Sequence, residues 1–134
     1  FIEEVKNYKN VKIYDLQPTY FLQTWLKFAD IHLLPQKKGI NNLVLPSKII
    51  GILASGKPVI ATTPKESELG KYVSEAGICI ENNEVYNFTK AILKLSKNKL
   101  LREKLGNKAY ILSKNKFDKK TILFNLKDKI NKII

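Results

Sequence analysis

What this chain has little of narrows its chemistry first. Among 134 residues there is one cysteine and one histidine, and 12 acidic residues face 24 lysines and arginines. The single thiol, Cys79, excludes an internal disulfide and suits a reducing compartment. It lies in the apolar run Gly77-Ile78-Cys79-Ile80, with no His or Asp close in sequence to activate it, and reads as a buried structural thiol. The single histidine, His32, offers no Ser-His-Asp order. One His and one Cys are also too few ligands for a metal site. His32 sits inside an apolar run, so a core histidine bonded to a neighbour is expected rather than a catalytic base. No apolar run approaches the roughly 18 residues that a membrane span needs. Phe1-Ile2-Glu3-Glu4 does not read as a signal peptide. No internal repeat or low-complexity linker interrupts the chain. It begins without Met, on what reads as the end of a helix over Phe1–Asn7, so a piece of a longer protein is expected.

What is present suffices for one folded domain. Hydrophobic residues make up 44% of the chain, enough for a core. The net charge of +12 has three readings. The blandest is a general bias towards Lys, Asn and Ile. An anionic membrane surface comes second, at about 1 kcal/mol per well-placed Lys. Nucleic acid comes last, because the lysines spread along helices after residue 89 and form no single block.

Apolar periodicity orders the elements. Short strands are predicted at Val11–Tyr14, Ile31–Leu34, Pro58–Ala61 and Ile78–Ile80. Helices are predicted at Tyr20–Phe28, Pro46–Ala54, Glu66–Glu75, Val85–Leu95, Leu100–Leu112 and Lys119–Ile133. Phe21, Trp25 and Phe28 share a helical face and are expected in the core rather than as a stacking platform for bases. Val85, Phe88, Ile92 and Leu95 mark another face, Leu101, Leu105, Ala109 and Leu112 a third, and Ile122, Leu126, Ile130 and Ile133 a fourth. Alternating strands and helices predict the α/β class, with a Rossmann-like parallel sheet and flanking helices. Residues 1–115 form the domain proper and 116–134 its C-terminal helix.

The segment Leu45–Ala61 is the most informative. Pro46 suits a first helical turn, Gly56 a left-handed cap, and Pro58 a stop before a buried strand. The helix from 46 to 54 is apolar nearly all round and is expected to be buried. The loop before it, residues 35–45, is long for a compact domain. It follows a strand and so lies at the carboxyl edge of the sheet, where such folds bind ligands. Gln36, Lys37, Lys38, Gly39, Asn41 and Asn42 supply cationic and amide donors there, with Ser47 and Lys48 at the helix start. A diphosphate would meet backbone N–H groups near Ser47 and Lys48. The plain alternative is a polar surface loop ahead of a helix begun by Pro46.

Three pieces stand in order: Ala29-Asp30-Ile31-His32-Leu33-Leu34-Pro35-Gln36, Pro46-Ser47-Lys48, and Ala54-Ser55-Gly56-Lys57-Pro58-Val59-Ile60-Ala61. Over roughly residues 10–115 the chain resembles the C-terminal, donor-binding half of a GT-B glycosyltransferase. Within that family it is similar to bacterial enzymes that build surface polysaccharides, including colanic-acid and O-antigen transferases. The resemblance implies transfer of a sugar from a nucleoside diphosphate donor, UDP-linked, to a polysaccharide or lipid-linked acceptor. It implies no metal and no cofactor beyond that donor. It places the acceptor site and the catalytic residues in an N-terminal acceptor domain of the same enzyme, so the isolated chain is expected to be inactive. Many relatives carry a Glu-x7-Glu pair; the matching positions here are Leu43 and Gly51, and both carboxylates are missing. Backbone groups near Leu43 and Val44 would then orient the sugar, with Lys48 as a cationic contact. Leu16 and Gln17, at the bend before Pro18, match a segment whose backbone contacts the base, or else form a plain turn. Glu68 reads as a helix-start residue before a donor contact.

A cytoplasmic location is expected, extending, on account of the positive charge, to peripheral association with anionic inner-membrane lipids, and no nucleic-acid partner is expected. A sugar-nucleotide epimerase of the same fold is the rival enzyme. It calls for acid/base carboxylates or histidines around the cleft, which the expected positions lack. A basic nucleic-acid- or membrane-binding module is the rival outside catalysis.

Overall fold

A computed structural model describes residues 2–36, 45–81 and 85–132. A short helix α1 (Ile2–Val5) leads into irregular chain, then a 3-10 turn at Thr19–Phe21 and helix α2 (Leu22–Phe28). Strand β1 (His32–Leu34), helix α3 (Lys48–Ala54), strand β2 (Val59–Thr62), helix α4 (Glu68–Ala76) and strand β3 (Gly77–Ile80) follow in alternation. Helices α5 (Val85–Lys97), α6 (Lys99–Phe117) and α7 (Lys119–Asn131) complete the described chain. The three strands form a parallel sheet in the order β1-β2-β3, with His32 opposite Val59 and Val59 opposite Gly77. The α/β parallel arrangement expected from the alternation is the one observed.

Strand β2 is central and buried along its whole length. Its side chains alternate between two cores, as the period of a strand requires. Val59 and Ala61 point to one side, with Leu34 from β1. There they meet Ile49, Ile52 and Leu53 of α3, Leu69, Val73 and Ala76 of α4, and Ala109 and Leu112 of α6. Ile60 points the other way and packs with Ile80, Ala91 and Leu95, under Phe88 and Ile92 of α5. Each of the fully buried Val59, Ile60 and Leu53 contributes about 1.5–3 kcal/mol by leaving water. Helix α5 covers β2 and β3 on that second side, and Leu33 of β1 stays half-exposed.

Several junctions follow the sequence closely. Gly56 adopts φ 69°, the left-handed conformation that ends α3. Ser67 caps α4 by accepting the Gly70 N–H at 2.9 Å, so that helix begins at Glu68 rather than Glu66. Asn98 caps α6 through the Leu101 N–H at 2.9 Å, and Asp118 caps α7. Helix α3 starts at Lys48; Pro46 stands just outside it and accepts the Ile49 N–H at 3.0 Å. It buries Ile49, Ile52 and Leu53 but leaves Ile50 in solvent, so it is less enclosed than its composition suggests.

Four expectations are corrected. Val11–Tyr14 is not a strand; residues 11–18 have no regular structure, because no described strand lies beside them to share hydrogen bonds. The α2 aromatics are not core: Trp25 is 39% exposed and Phe28 79% exposed. Trp25 packs instead on Tyr14, with ring centroids 5.1 Å apart, and Leu26 is the α2 side chain that turns inward. On α5 the buried positions are Ala91 and Leu95, and Val85 is exposed. On α7 the periodic positions Ile122, Leu126 and Ile130 are all exposed, and Ile133 lies outside the described residues.

Helices α3 and α6 cross where both chains are bare. A Cβ on Gly106 would run into the Gly56 carbonyl oxygen. Replacing Gly106 by Ala should therefore push α6 off the end of α3 and cost about 1–3 kcal/mol. Gly51→Ala is the contrast. Its Cβ meets only the mobile tip of Leu26, at 3.1 Å, and stability should stay within about 1 kcal/mol of wild type. Urea unfolding of the two variants checks the order.

Candidate functional site

Parallel strands linked by α3 and α4 place the starts of both helices at the carboxyl edge of the sheet. That edge gathers Pro35 and Gln36 after β1, Thr62 at the end of β2 with Thr63–Ser67 after it, and Glu81 after β3. Ser47 and Lys48 open α3 on the same edge, and both are exposed. The first N–H groups of a helix have no intrahelical acceptor, so they remain available to a ligand.

One hydroxyl organises this edge. Thr62 Oγ1 accepts the Gln36 N–H at 2.6 Å and donates to the Gln36 carbonyl at 3.1 Å. Both polar backbone groups of Gln36 are thus held by the last residue of the central strand. The Gln36 side-chain Oε1 is buried and has no partner among the described residues. Next door, the Thr63 N–H donates to the Ile80 carbonyl at 2.9 Å and prolongs the β2–β3 ladder. The Ser67 hydroxyl donates to the Pro64 carbonyl at 2.7 Å while accepting the Gly70 N–H. Its proton being used, the 2.7 Å contact with Thr63 Oγ1 has Thr63 as donor. The turn at 62–67 is therefore fixed by buried hydroxyls. Lys65 and Glu81 approach at 4.0 Å across its surface, a well-solvated pair worth little.

The predicted site residues distribute unevenly. Ser47 and Lys48 are at the edge. Lys37, Lys38, Gly39, Leu43 and Val44 lie outside the described residues, as do Asn41 and Asn42. Gly51 lies one turn into α3, against Leu26 of α2. Leu16 is fully exposed on the irregular segment, and the Gln17 amide folds back onto the Asp15 carbonyl at 2.9 Å. Glu68 is the first helical residue of α4 and is exposed. The bonds of Thr62 and Thr63 had no local signal in the sequence. Their partners Gln36 and Ile80 are distant in the chain, and only the register of the sheet brings them together.

His32 occupies the opposite, amino end of β1. Its Nε2 lies 3.0 Å from the Leu26 carbonyl and 3.2 Å from Ser55 Oγ. A carbonyl only accepts, so Nε2 carries the proton; Ser55 meanwhile donates to the Ile52 carbonyl at 2.6 Å. The residue is a core histidine tying α2 to the end of α3. Burial pushes its pKa down; the Leu26 bond opposes this, and Lys57 adds to it. Cys79 is half-buried between Ser74 Oγ and the Gly70 carbonyl, each 3.4 Å away, and burial raises its thiol pKa. That is the environment of an unreactive thiol.

Two concavities are lined by neither Ser47 nor Lys48. One, of about 430 Å³, opens at the amino edge beside Asp30, Lys57, Arg102 and Glu103. Its Arg102 is occupied in closing α5, donating to the Leu95 and Ser96 carbonyls at 2.7 and 2.8 Å. The other, of about 440 Å³, runs between β3 and α5. Among the described residues no group of three or more His, Cys, Asp or Glu side chains could hold a metal ion.

Two outcomes are expected. Thr62→Val removes both bonds to Gln36 and should cost about 1–3 kcal/mol in urea unfolding, with faster amide exchange at Gln36. For His32 the sign follows from its depressed pKa. The unfolded chain takes up a proton near 6.5 while the folded chain resists, so stability falls as pH drops through 6.5 and levels off below the folded pKa. The unfolding midpoint should thus decline as pH falls from neutral through 6.5, and His32→Gln should flatten the decline.

No protein-family model matches the chain, and no solved structure matches it. Over 118 residues it is 30% identical to "Putative colanic acid biosynthesis glycosyl transferase WcaI" of Escherichia coli (strain K12). The match covers 86% of this chain and 28% of that protein. The chain is thus related in sequence to a glycosyltransferase and spans little more than a quarter of its relative's length.

Proposed function

We propose that this chain is the donor-binding part of a glycosyltransferase. It would receive a nucleoside diphosphate sugar, UDP-linked, for transfer to a surface-polysaccharide or lipid-linked acceptor. The observation that carries the reading is the 30% identity to a glycosyl transferase over 86% of the chain. The geometry is compatible with it. A parallel sheet presents loop ends and helix starts on one edge, and Lys48 stands exposed there.

In this reading the leaving diphosphate rests over the start of α3. The Lys48 ammonium and the backbone N–H groups of Ser47 and Lys48 offset the charge that develops as the glycosidic bond breaks. Such donors act without a metal because they are aimed before the reaction begins. Thr62 works at one remove: by gripping both backbone groups of Gln36 it fixes the chain just after β1. The side chain at position 51 cannot reach a ribose, since it is a glycine, so the ribose would be held by backbone groups or by another segment. The acceptor and the groups that act on it belong to a further domain.

Titrating UDP into the intact protein tests this. Shifts should appear at Ser47 and Lys48, and Lys48→Ala should weaken binding about tenfold, the size of one charge-assisted hydrogen bond. Unaltered affinity in the variant, or no response of Ser47 and Lys48 to UDP, would refute the placement.

A further inference from the structure

Gln36 carries a polar atom that the carboxyl edge does not satisfy. The residue as a whole is only partly buried, yet its side-chain Oε1 is shut away from water and has no hydrogen-bond partner among the described residues. A buried acceptor without a donor is costly, and folded domains hold few of them. The three buried hydroxyls of this edge cannot serve it. Thr62 has one proton, and that proton goes to the Gln36 carbonyl. The Thr63 proton goes to Ser67, and the Ser67 proton to the Pro64 carbonyl.

The backbone fixes where this side chain starts. Thr62 Oγ1 holds the Gln36 N–H at 2.6 Å and the Gln36 carbonyl at 3.1 Å, so the residue cannot turn about its own main chain. The last torsion of a glutamine is soft, and the oxygen can swing toward the surface that the residue reaches. A group mounted in this way loses little freedom when it takes up a bond. Its chemistry then selects the partner. An ionised diphosphate presents acceptor oxygens alone, so Oε1 gains nothing from it. The nucleoside and the sugar on either side of a diphosphate carry O–H and N–H donors.

We propose that Gln36 is a specificity-determining contact of the donor site, its Oε1 accepting a hydrogen bond from an O–H or N–H of the bound nucleotide sugar. This rests on the sugar-transfer reading and adds to it a residue that reads the ligand beyond its phosphates.

Gln36→Met, unbranched and of similar length, tests it in the intact protein. Without ligand, the urea midpoint should hold or rise, because the orphaned acceptor is gone. Affinity should fall about tenfold, the size of one hydrogen bond whose ligand partner is left unpaired. A fall with UDP itself puts the bond on the nucleoside. A fall confined to UDP-glucose and UDP-N-acetylglucosamine puts it on the sugar. Wild-type affinity of the variant for all three ligands would overturn the proposal. So would a lowered urea midpoint, whatever the affinity, because Oε1 would then be bonded within the protein. If the wild-type protein binds none of the three, the sugar-transfer reading falls and takes this one with it. If UDP perturbs Ser47 and Lys48 while Gln36→Met binds like wild type, the role of Gln36 alone falls.

Discussion

The burial of β2 on both faces is the constraint on which the rest of this molecule depends. Val59–Thr62 supplies side chains to both cores and hydrogen bonds to both neighbouring strands. A strand so placed cannot shift register by one residue, because Ile60 would then change sides with Val59 and Ala61. Everything that defines the carboxyl edge inherits this fixity. Thr62 holds Gln36, Thr63 extends the ladder to β3, and Ser67 starts α4 from a turn stiffened by Thr63. The edge is therefore built from the least movable part of the chain.

The close contact between α3 and α6 is the second condition. Helix α3 must end abruptly if β2 is to begin at Val59, and Gly56 ends it in a left-handed turn. Gly106 then lets α6 approach that turn backbone to backbone. Through this approach the long helix α6 joins the core beneath α3 and α4, although only Gly106, Ala109, Leu112 and Ser113 of it are buried.

Much of this was legible in the residues. The apolar run after Pro58, the glycine at 56 and the alternation of strands with helices all announce a parallel sheet, and local signals suffice for each. The failures share a cause. Phe21, Trp25, Phe28 and the α7 stripe have the spacing of core faces, yet spacing records only that a face is apolar, not that something covers it. Val11–Tyr14 has strand composition but lacks a described neighbour. The edge was half legible. Lys48 could be placed from Pro46 and the strand before it, whereas the Thr62–Gln36 bonds link positions 26 residues apart and have no local signature. Position 51 shows a different limit: the resemblance to sugar-transferring enzymes directs attention to it, but a glycine there offers only backbone.

The grip of Thr62 on Gln36 also has a mechanical meaning. A loop leaving a sheet is normally anchored by its own strand, and β1 is a short edge strand among those described. Here the anchor is transferred to the neighbouring central strand, because one hydroxyl engages both the amide and the carbonyl of Gln36. Tension applied at Gln36 is delivered to a strand that is buried along its whole length. The edge strand is relieved of it, and Gln36 rests on a fulcrum that stays still.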